Sequence, residues 1–151
     1  MITTTRKEAI TLIEESINNV IPLQDDRLEK VIYAVNNDLT VRDWVLGMPL
    51  RFTLEESIDF VRYMAVHTTA LDSVPFITIN AVFEYERGNL DKSIRMLEYV
   101  NAVNNEYQLA KLITRTIDAG MAPERFNQMR KELDAQVLQD CNEQPIREED
   151  N

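Results

Sequence analysis

The sequence predicts an all-α fold, an antiparallel bundle of about six to eight helices. Apolar residues recur at helical spacing along most of the chain, and no segment alternates convincingly as a strand does. Only 3 glycines and 5 prolines occur in 151 residues, fewer than a chain rich in strands and tight turns needs. We therefore expect long helices joined by short connections.

Two helices are expected before residue 38. The first follows a threonine cap at Thr4 or Thr5 and ends at Pro22, because the residue before a proline avoids the α region. The second begins at Asp25 or Asp26, acids that suit the positive end of the helix dipole. Their apolar faces are Ile10, Ile13, Ile17 and Val20 on the first helix and Leu28, Val31, Ile32 and Val35 on the second.

Two further helices follow. A short third helix, from about 40 to 46, ends at Gly47, and the fourth opens with a capping box formed by Thr53 and Glu56. Their apolar faces comprise Val41, Trp44 and Val45 on the third helix and Leu54, Ile58, Val61 and Ala65 on the fourth.

The fifth helix is expected to be the most buried element. It begins with Ser73 as its cap and Pro75 in its first turn, and it ends at Gly88. Apolar residues lie on more than one of its sides, which indicates a helix enclosed by others. These residues are Phe76, Ile77, Ile79, Ala81, Phe83 and Tyr85.

Three more helices complete the predicted domain, which spans 1–140. The sixth ends at Asn-Asn-Glu 104–106, the seventh stops at Gly120, and a longer, more polar eighth starts at Pro123. Their apolar residues are Ile94, Leu97, Val100 and Val103, then Leu109, Ile113 and Ile117, then Phe126, Met129, Leu133 and Val137. The acidic tail 141–151 is expected to be disordered.

Residues 75–104 resemble one tetratricopeptide repeat hairpin. Gly88 allows a sharp turn, and small residues at Ala81 and Ser93 allow two antiparallel helices to approach closely. No second copy is visible at a 34-residue offset, the period of that repeat. The pattern therefore predicts a packed helical hairpin and not a repeat array.

A wider stretch, 38–126, carries a second set of ordered features. They are Arg42–Asp43, Tyr85 three residues before Gly88, Glu106–Tyr107 followed by Leu109–Ala110, and the stop Asp118–Ala119–Gly120. In these features the stretch resembles the C-terminal helical half of an uncharacterised family of actinobacteria and their phages, domain of unknown function 4192. The resemblance implies a helical module encoded by a phage or mobile element, and it implies no assigned activity.

The composition limits the expected kind of partner and the expected compartment. The 16 basic and 26 acidic residues give a net charge of -10, which disfavours direct nucleic-acid binding. The single cysteine, Cys141, cannot form an internal disulfide, which fits a reducing compartment. Because no signal-peptide or membrane-spanning pattern occurs, we expect a soluble, cytoplasmic protein.

The residues give no sign of a catalytic, cofactor or metal site. His67 is the only histidine, no glutamate lies three residues before it to form a metal-binding E-x-x-H motif, and no Ser-His-Asp or Cys-His set is evident around it. No Gly-rich phosphate-binding loop is present. The candidate interaction residues are instead one adjacent ion pair and three aromatic residues: Arg42, Asp43, Trp44, Tyr85 and Tyr107.

The sequence therefore favours a non-enzymatic protein–protein interaction module without a cofactor. Its expected binding surfaces are the grooves beside the fifth to seventh helices and the acidic surface of the first two. The partner is a protein, such as a host protein of a phage, and a second copy of the chain is a further candidate. The alternative is an acidic inhibitor that mimics DNA and binds a DNA-binding protein.

Overall fold

The structure, a computed structural model, describes residues 2–148 and confirms the all-α prediction. Within these residues the chain forms eight α-helices, a 3-10 turn at Met48–Leu50 and no strand. The helices are α1 Arg6–Asn18, α2 Asp25–Asn37, α3 Leu39–Leu46, α4 Leu54–Val66, α5 Val74–Glu86, α6 Leu90–Val103, α7 Gln108–Asp118 and α8 Glu124–Asp140. Over the same span, no helix is both long and apolar enough to cross a bilayer.

The helices group into two compact units, and the single domain predicted over 1–140 stays a prediction. Unit 1 contains the residues up to Gly47 and those from Glu132 onward, and unit 2 contains Met48–Lys131. Helix α8 therefore begins in unit 2 and ends in unit 1. Helical periodicity marks the apolar face of each helix but not its partner, so the grouping was not visible in the sequence.

Unit 1 is built on contacts among α1, α2 and α3. Asp38 joins two of these helices, since its carboxylate accepts a hydrogen bond from the Val41 amide at 3.0 Å and one from Arg6 Nε at 2.9 Å. Seven of the residues on the predicted apolar faces are buried: Ile10, Ile13, Val31, Val35, Val41, Trp44 and Val45.

Residues 141–148, the described part of the tail expected to be disordered, pack against the N-terminal residues. Thr5 and Pro145 form an isolated antiparallel bridge, and the Ile146 amide donates to the Thr4 carbonyl at 2.8 Å. Ile146 is 8% exposed and contributes an apolar side chain to unit 1. The rest of the predicted tail, 149–151, lies outside the described residues.

One local prediction near a helix end is wrong. The apolar pattern predicts Val20 on the face of the first helix, but α1 ends at Asn18, and Val20 is 84% exposed with a left-handed φ of 54°. Ser73 lies at the N-cap of α5 as predicted, and its hydroxyl donates to the Ala70 carbonyl at 2.7 Å and not to an amide of the helix.

Unit 2 is organised around α5, which contacts α4, α6 and α7. Ten of its thirteen residues are buried, which confirms that it is enclosed on several sides. The capping box predicted at the start of α4 is formed, with the Thr53 hydroxyl and the Glu56 carboxylate each accepting the other residue's amide.

We predict that Ile146→Ala lowers the free energy of unfolding by about 2 kcal/mol, because it leaves a cavity at a buried aliphatic side chain. Urea denaturation followed by circular dichroism measures the change. The exposed neighbour Gln144→Ala is the control and should change stability by less than about 0.5 kcal/mol. Equal effects of the two substitutions would show that the segment does not pack on unit 1.

Candidate functional site

A close helical hairpin, α5 and α6, forms the support of the candidate site. Gly88 adopts a φ of 96°, a left-handed conformation that a side chain would strain, and so lets α5 stop sharply. The fully buried Ser93 of α6 donates its hydroxyl to the Ala81 carbonyl of α5 at 2.7 Å. Small residues at these positions therefore allow backbone-level contact, as the repeat-like pattern predicts.

A buried carboxylate secures the same hairpin. Glu84, whose side chain is fully buried, lies 2.7 Å from Arg87 Nη2 and 3.0 Å from Lys92 Nζ. Arg87 also reaches α4, where Nη1 donates to the Glu55 carboxylate at 2.8 Å. The network thus joins the end of α5 to the first turn of α6 and to α4.

The charge of Glu84 is held by these partners. Burial alone raises the pKa of a carboxyl group, but the hydrogen bond from Lys92 and the charges of Lys92 and Arg87 outweigh it and lower the pKa of Glu84. Because the folded state favours the ionised form, this carboxylate stabilises the hairpin at neutral pH.

Helix α7 follows α6 through a tight turn at 104–107. The Asn104 amide donates to the Val100 carbonyl at 2.8 Å, and its side-chain oxygen accepts the Glu106 amide at 3.1 Å. Only the apolar stripe of α7 is buried, so the opposite flank faces outward. That stripe consists of Leu109, Ala110, Ile113 and Ile117.

A groove of about 790 Å³ lies between α6 and α7, within unit 2. Its volume falls in the range of about 300–1,000 Å³ that is usual for ligand sites. The apolar part of its lining comes from both helices and consists of Ile94, Leu97, Ala110 and Ile117. At the end nearest the α6–α7 turn, carboxamides line it: Asn101, Asn104, Asn105 and Gln108.

The charged groups of the groove balance one another. Glu98 of α6 and Asp118 of α7 oppose Lys111 and Arg115 of α7. None of these four side chains forms an ion pair with another residue of 2–148, and all four are exposed. The groove thus offers uncommitted charges of both signs with no net charge.

Three of the five predicted site residues lie in unit 1, on α3. Arg42 and Asp43 bind each other, with Arg42 Nη2 3.1 Å from the Asp43 carboxylate. Trp44 is 2% exposed and belongs to the core of the unit. In the structure, Arg42 and Asp43 are therefore an ion pair, and Trp44 is a packing residue of the core.

The other two predicted residues, Tyr85 and Tyr107, lie in unit 2. Tyr85 donates its hydroxyl to the Met121 carbonyl at 2.5 Å and packs edge-on against Phe126, with 5.8 Å between ring centroids. It therefore ties α5 to the segment before α8. Tyr107 lines the groove at its carboxamide end, half-buried at the start of α7.

The remaining groove residues were not singled out by sequence reasoning. Ile94 was counted with the apolar face of α6, but it is 37% exposed and borders the groove. The Asn-Asn-Glu pattern predicts only a helix break, although its asparagines line the same groove. A concentration of carboxamides over 101–108 was the available signal.

No group of three or more metal-ligating side chains that could hold an ion occurs in the described part of the chain. His67 caps the end of α4, with Nδ1 2.8 Å from the Tyr63 carbonyl oxygen. Its ring stacks on that of Tyr63 at 4.0 Å between centroids. Both contacts are those of a helix-terminal residue.

Comparison of the chain with protein-family models, with curated proteins and with solved structures found no match. The resemblance of 38–126 to domain of unknown function 4192 therefore stays a prediction.

Replacing Ser93 tests the close packing of the hairpin. We expect Ser93→Ala to cost about 1 kcal/mol of unfolding free energy through the lost hydrogen bond. Ser93→Leu should cost more, roughly 2–3 kcal/mol, because a larger side chain separates the helices. Urea denaturation measures both, with the exposed Thr114→Ala as control. If Ser93→Leu lowers the free energy of unfolding less than Ser93→Ala does, the close approach of α5 and α6 is contradicted.

The Glu84 network predicts a pH effect. Because the folded-state pKa lies below the ordinary value of 4.5, the stabilisation is complete above pH 4.5 and is lost as pH falls through the folded-state pKa. Glu84→Gln should therefore be less stable than the parent at neutral pH, and the difference should shrink in acid. Urea denaturation across pH measures this difference.

A second variant tests whether Lys92 is the cause of the lowered pKa of Glu84. Lys92→Met removes the partner that lowers the pKa of Glu84 most, so the loss of stability in acid should be smaller and should end at a higher pH than in the parent. A stability difference between Glu84→Gln and the parent that does not change with pH would contradict the assignment.

Proposed function

We propose that the protein is a non-enzymatic interaction module that binds a segment of a partner protein in the groove between α6 and α7. The observation that carries the proposal is the groove itself, a concave surface with apolar, carboxamide and uncommitted charged side chains on one hairpin. Such mixed surfaces suit protein ligands, which present both apolar side chains and polar backbone groups.

The rigidity of the support favours the same function. The α6 wall is held to α5 by the buried Ser93 contact and by the Glu84 network, so the backbone of this wall needs little ordering on binding. A preorganised wall loses less conformational entropy when a ligand binds. Ile94, Glu98, Asn101 and Lys111 of the groove lining are exposed and therefore accessible to a ligand.

The distribution of charge supports the alternative of an acidic DNA mimic less well. Unit 1 contains 6 basic and 15 acidic residues, a net charge of -9, which is the observation in its favour. However, ion pairs interrupt the acidic surface of α1 and α2. Arg27 binds Glu15, and Lys30 binds both Glu8 and Asp26. A mimic of DNA needs an uninterrupted row of carboxylates.

The test is a selection of displayed protein fragments on the immobilised full chain. We expect Ile94→Asp to lower the recovery of selected fragments at least tenfold, because it places a charge on the apolar edge of the groove. Leu112→Asp is the control, because Leu112 is an exposed leucine of α7 (51%, against 37% for Ile94) that does not line the groove. It should leave recovery unchanged.

Either of two results would overturn the proposal. The first is that no fragment is enriched on the parent chain. The second is that the same fragments are recovered equally on the parent and on Ile94→Asp. Selection of basic, DNA-binding fragments that high salt removes, with no effect of Ile94→Asp, would favour the mimic.

A further inference from the structure

We infer that the ligand of the groove is an extended peptide segment without net charge, recognised mainly through its backbone. The inference rests on the proposed function and specifies the chemistry of the partner. It follows from three properties of the groove: the carboxamides at one end, the limited apolar surface of its floor, and its balanced charges.

The carboxamides match a peptide backbone. An asparagine side chain carries one acceptor and two donor hydrogens, which complement the N–H and C=O of a peptide unit. Asn101 and Asn105 make no side-chain hydrogen bond within residues 2–148, so both amides are available. Asn104 and Gln108 are partly committed to the turn and can supply fewer contacts.

An extended backbone fits better than a helix. The N–H and C=O groups of a helical ligand bond each other, so a docked helix offers its side chains to a groove and leaves carboxamides unused. It also needs a wide apolar surface. Here the floor residues Leu97, Ala110 and Ile117 are only 6%, 7% and 8% exposed. Polar contacts must therefore supply much of the recognition.

The length of the groove sets the size of the segment. Its α7 wall runs from Gln108 to Asp118, roughly 15 Å at the helical rise. An extended chain advances about 3.3 Å per residue, so about four or five residues fill this length.

The charges indicate a neutral ligand. The groove carries two acidic and two basic side chains, and unit 2 as a whole contains 10 basic and 11 acidic residues, a net charge of -1. A strongly acidic segment would be attracted by the two basic side chains but repelled by the two acidic ones, and the reverse holds for a strongly basic segment. A segment without net charge avoids this repulsion.

Two libraries of displayed ligands test the inference on the full chain. One presents short unconstrained peptides that lack Asp, Glu, Lys and Arg, and the other presents the same randomised residues on the exposed face of a stable helical scaffold. We expect binders from the unconstrained library, with recovery that falls on Ile94→Asp. Methylation of single backbone nitrogens in a synthetic binder should weaken binding although its side chains are unchanged.

Affinities measured by calorimetry complete the test. Asn101→Ala combined with Asn105→Ala should raise the Kd of the synthetic binder about tenfold, and the exposed carboxamide variant Gln128→Ala should leave it unchanged. The Kd should change less than about threefold between about 50 and about 500 mM salt, because the groove is neutral.

The outcomes separate the two proposals. Two outcomes would overturn the extended-peptide inference while the interaction module stands. In the first, groove-dependent binders come from the helical library alone. In the second, backbone methylation and the asparagine variants leave the affinity unchanged. Fragments that bind through the groove only when strongly charged would do the same. The absence of any binder sensitive to Ile94→Asp, in either library and among protein fragments, would overturn both.

Discussion

The burial of α5 constrains the rest of unit 2. A helix with ten of thirteen residues buried must be enclosed on several sides, and α4, α6 and α7 all contact it. Because α6 and α7 both direct their apolar stripes inward, their flanks are left to form the walls of the groove. The candidate site is thus a consequence of enclosing one apolar helix.

Paired charges give this enclosure a defined geometry. Apolar packing alone tolerates sliding of one helix on another, whereas a buried charge is stable only opposite its partner. Glu84 binds Lys92 at the start of α6, and Glu86 binds the buried guanidinium of Arg130 on α8, which also lies 5.4 Å from the centre of the Phe83 ring. The last turn of α5 is therefore the anchoring point for its neighbours.

Sequence reasoning predicted what local chemistry determines. The capping box at Thr53, the stop at Gly88 and the enclosed α5 all follow from residues close in the chain. It could not predict the packing of Ile146 on the N-terminal residues or the exposure of Ile94, because both depend on partners distant in sequence. The helical pattern shows that a residue is apolar, and the tertiary contacts decide whether it is covered.

The net charge likewise shows that a property of the whole sequence does not determine the surface that a ligand would meet. A value of -10 for the chain suggested an acidic binding surface, yet most of that charge belongs to unit 1, where Arg27 and Lys30 neutralise part of it. A ligand bound in the groove as proposed would meet Glu98, Lys111 and the other wall residues at contact distance, while solvent ions screen more distant charges over about 10 Å. Under this proposal, recognition would depend on the local set of side chains, which favours hydrogen bonding by Asn101 over long-range attraction.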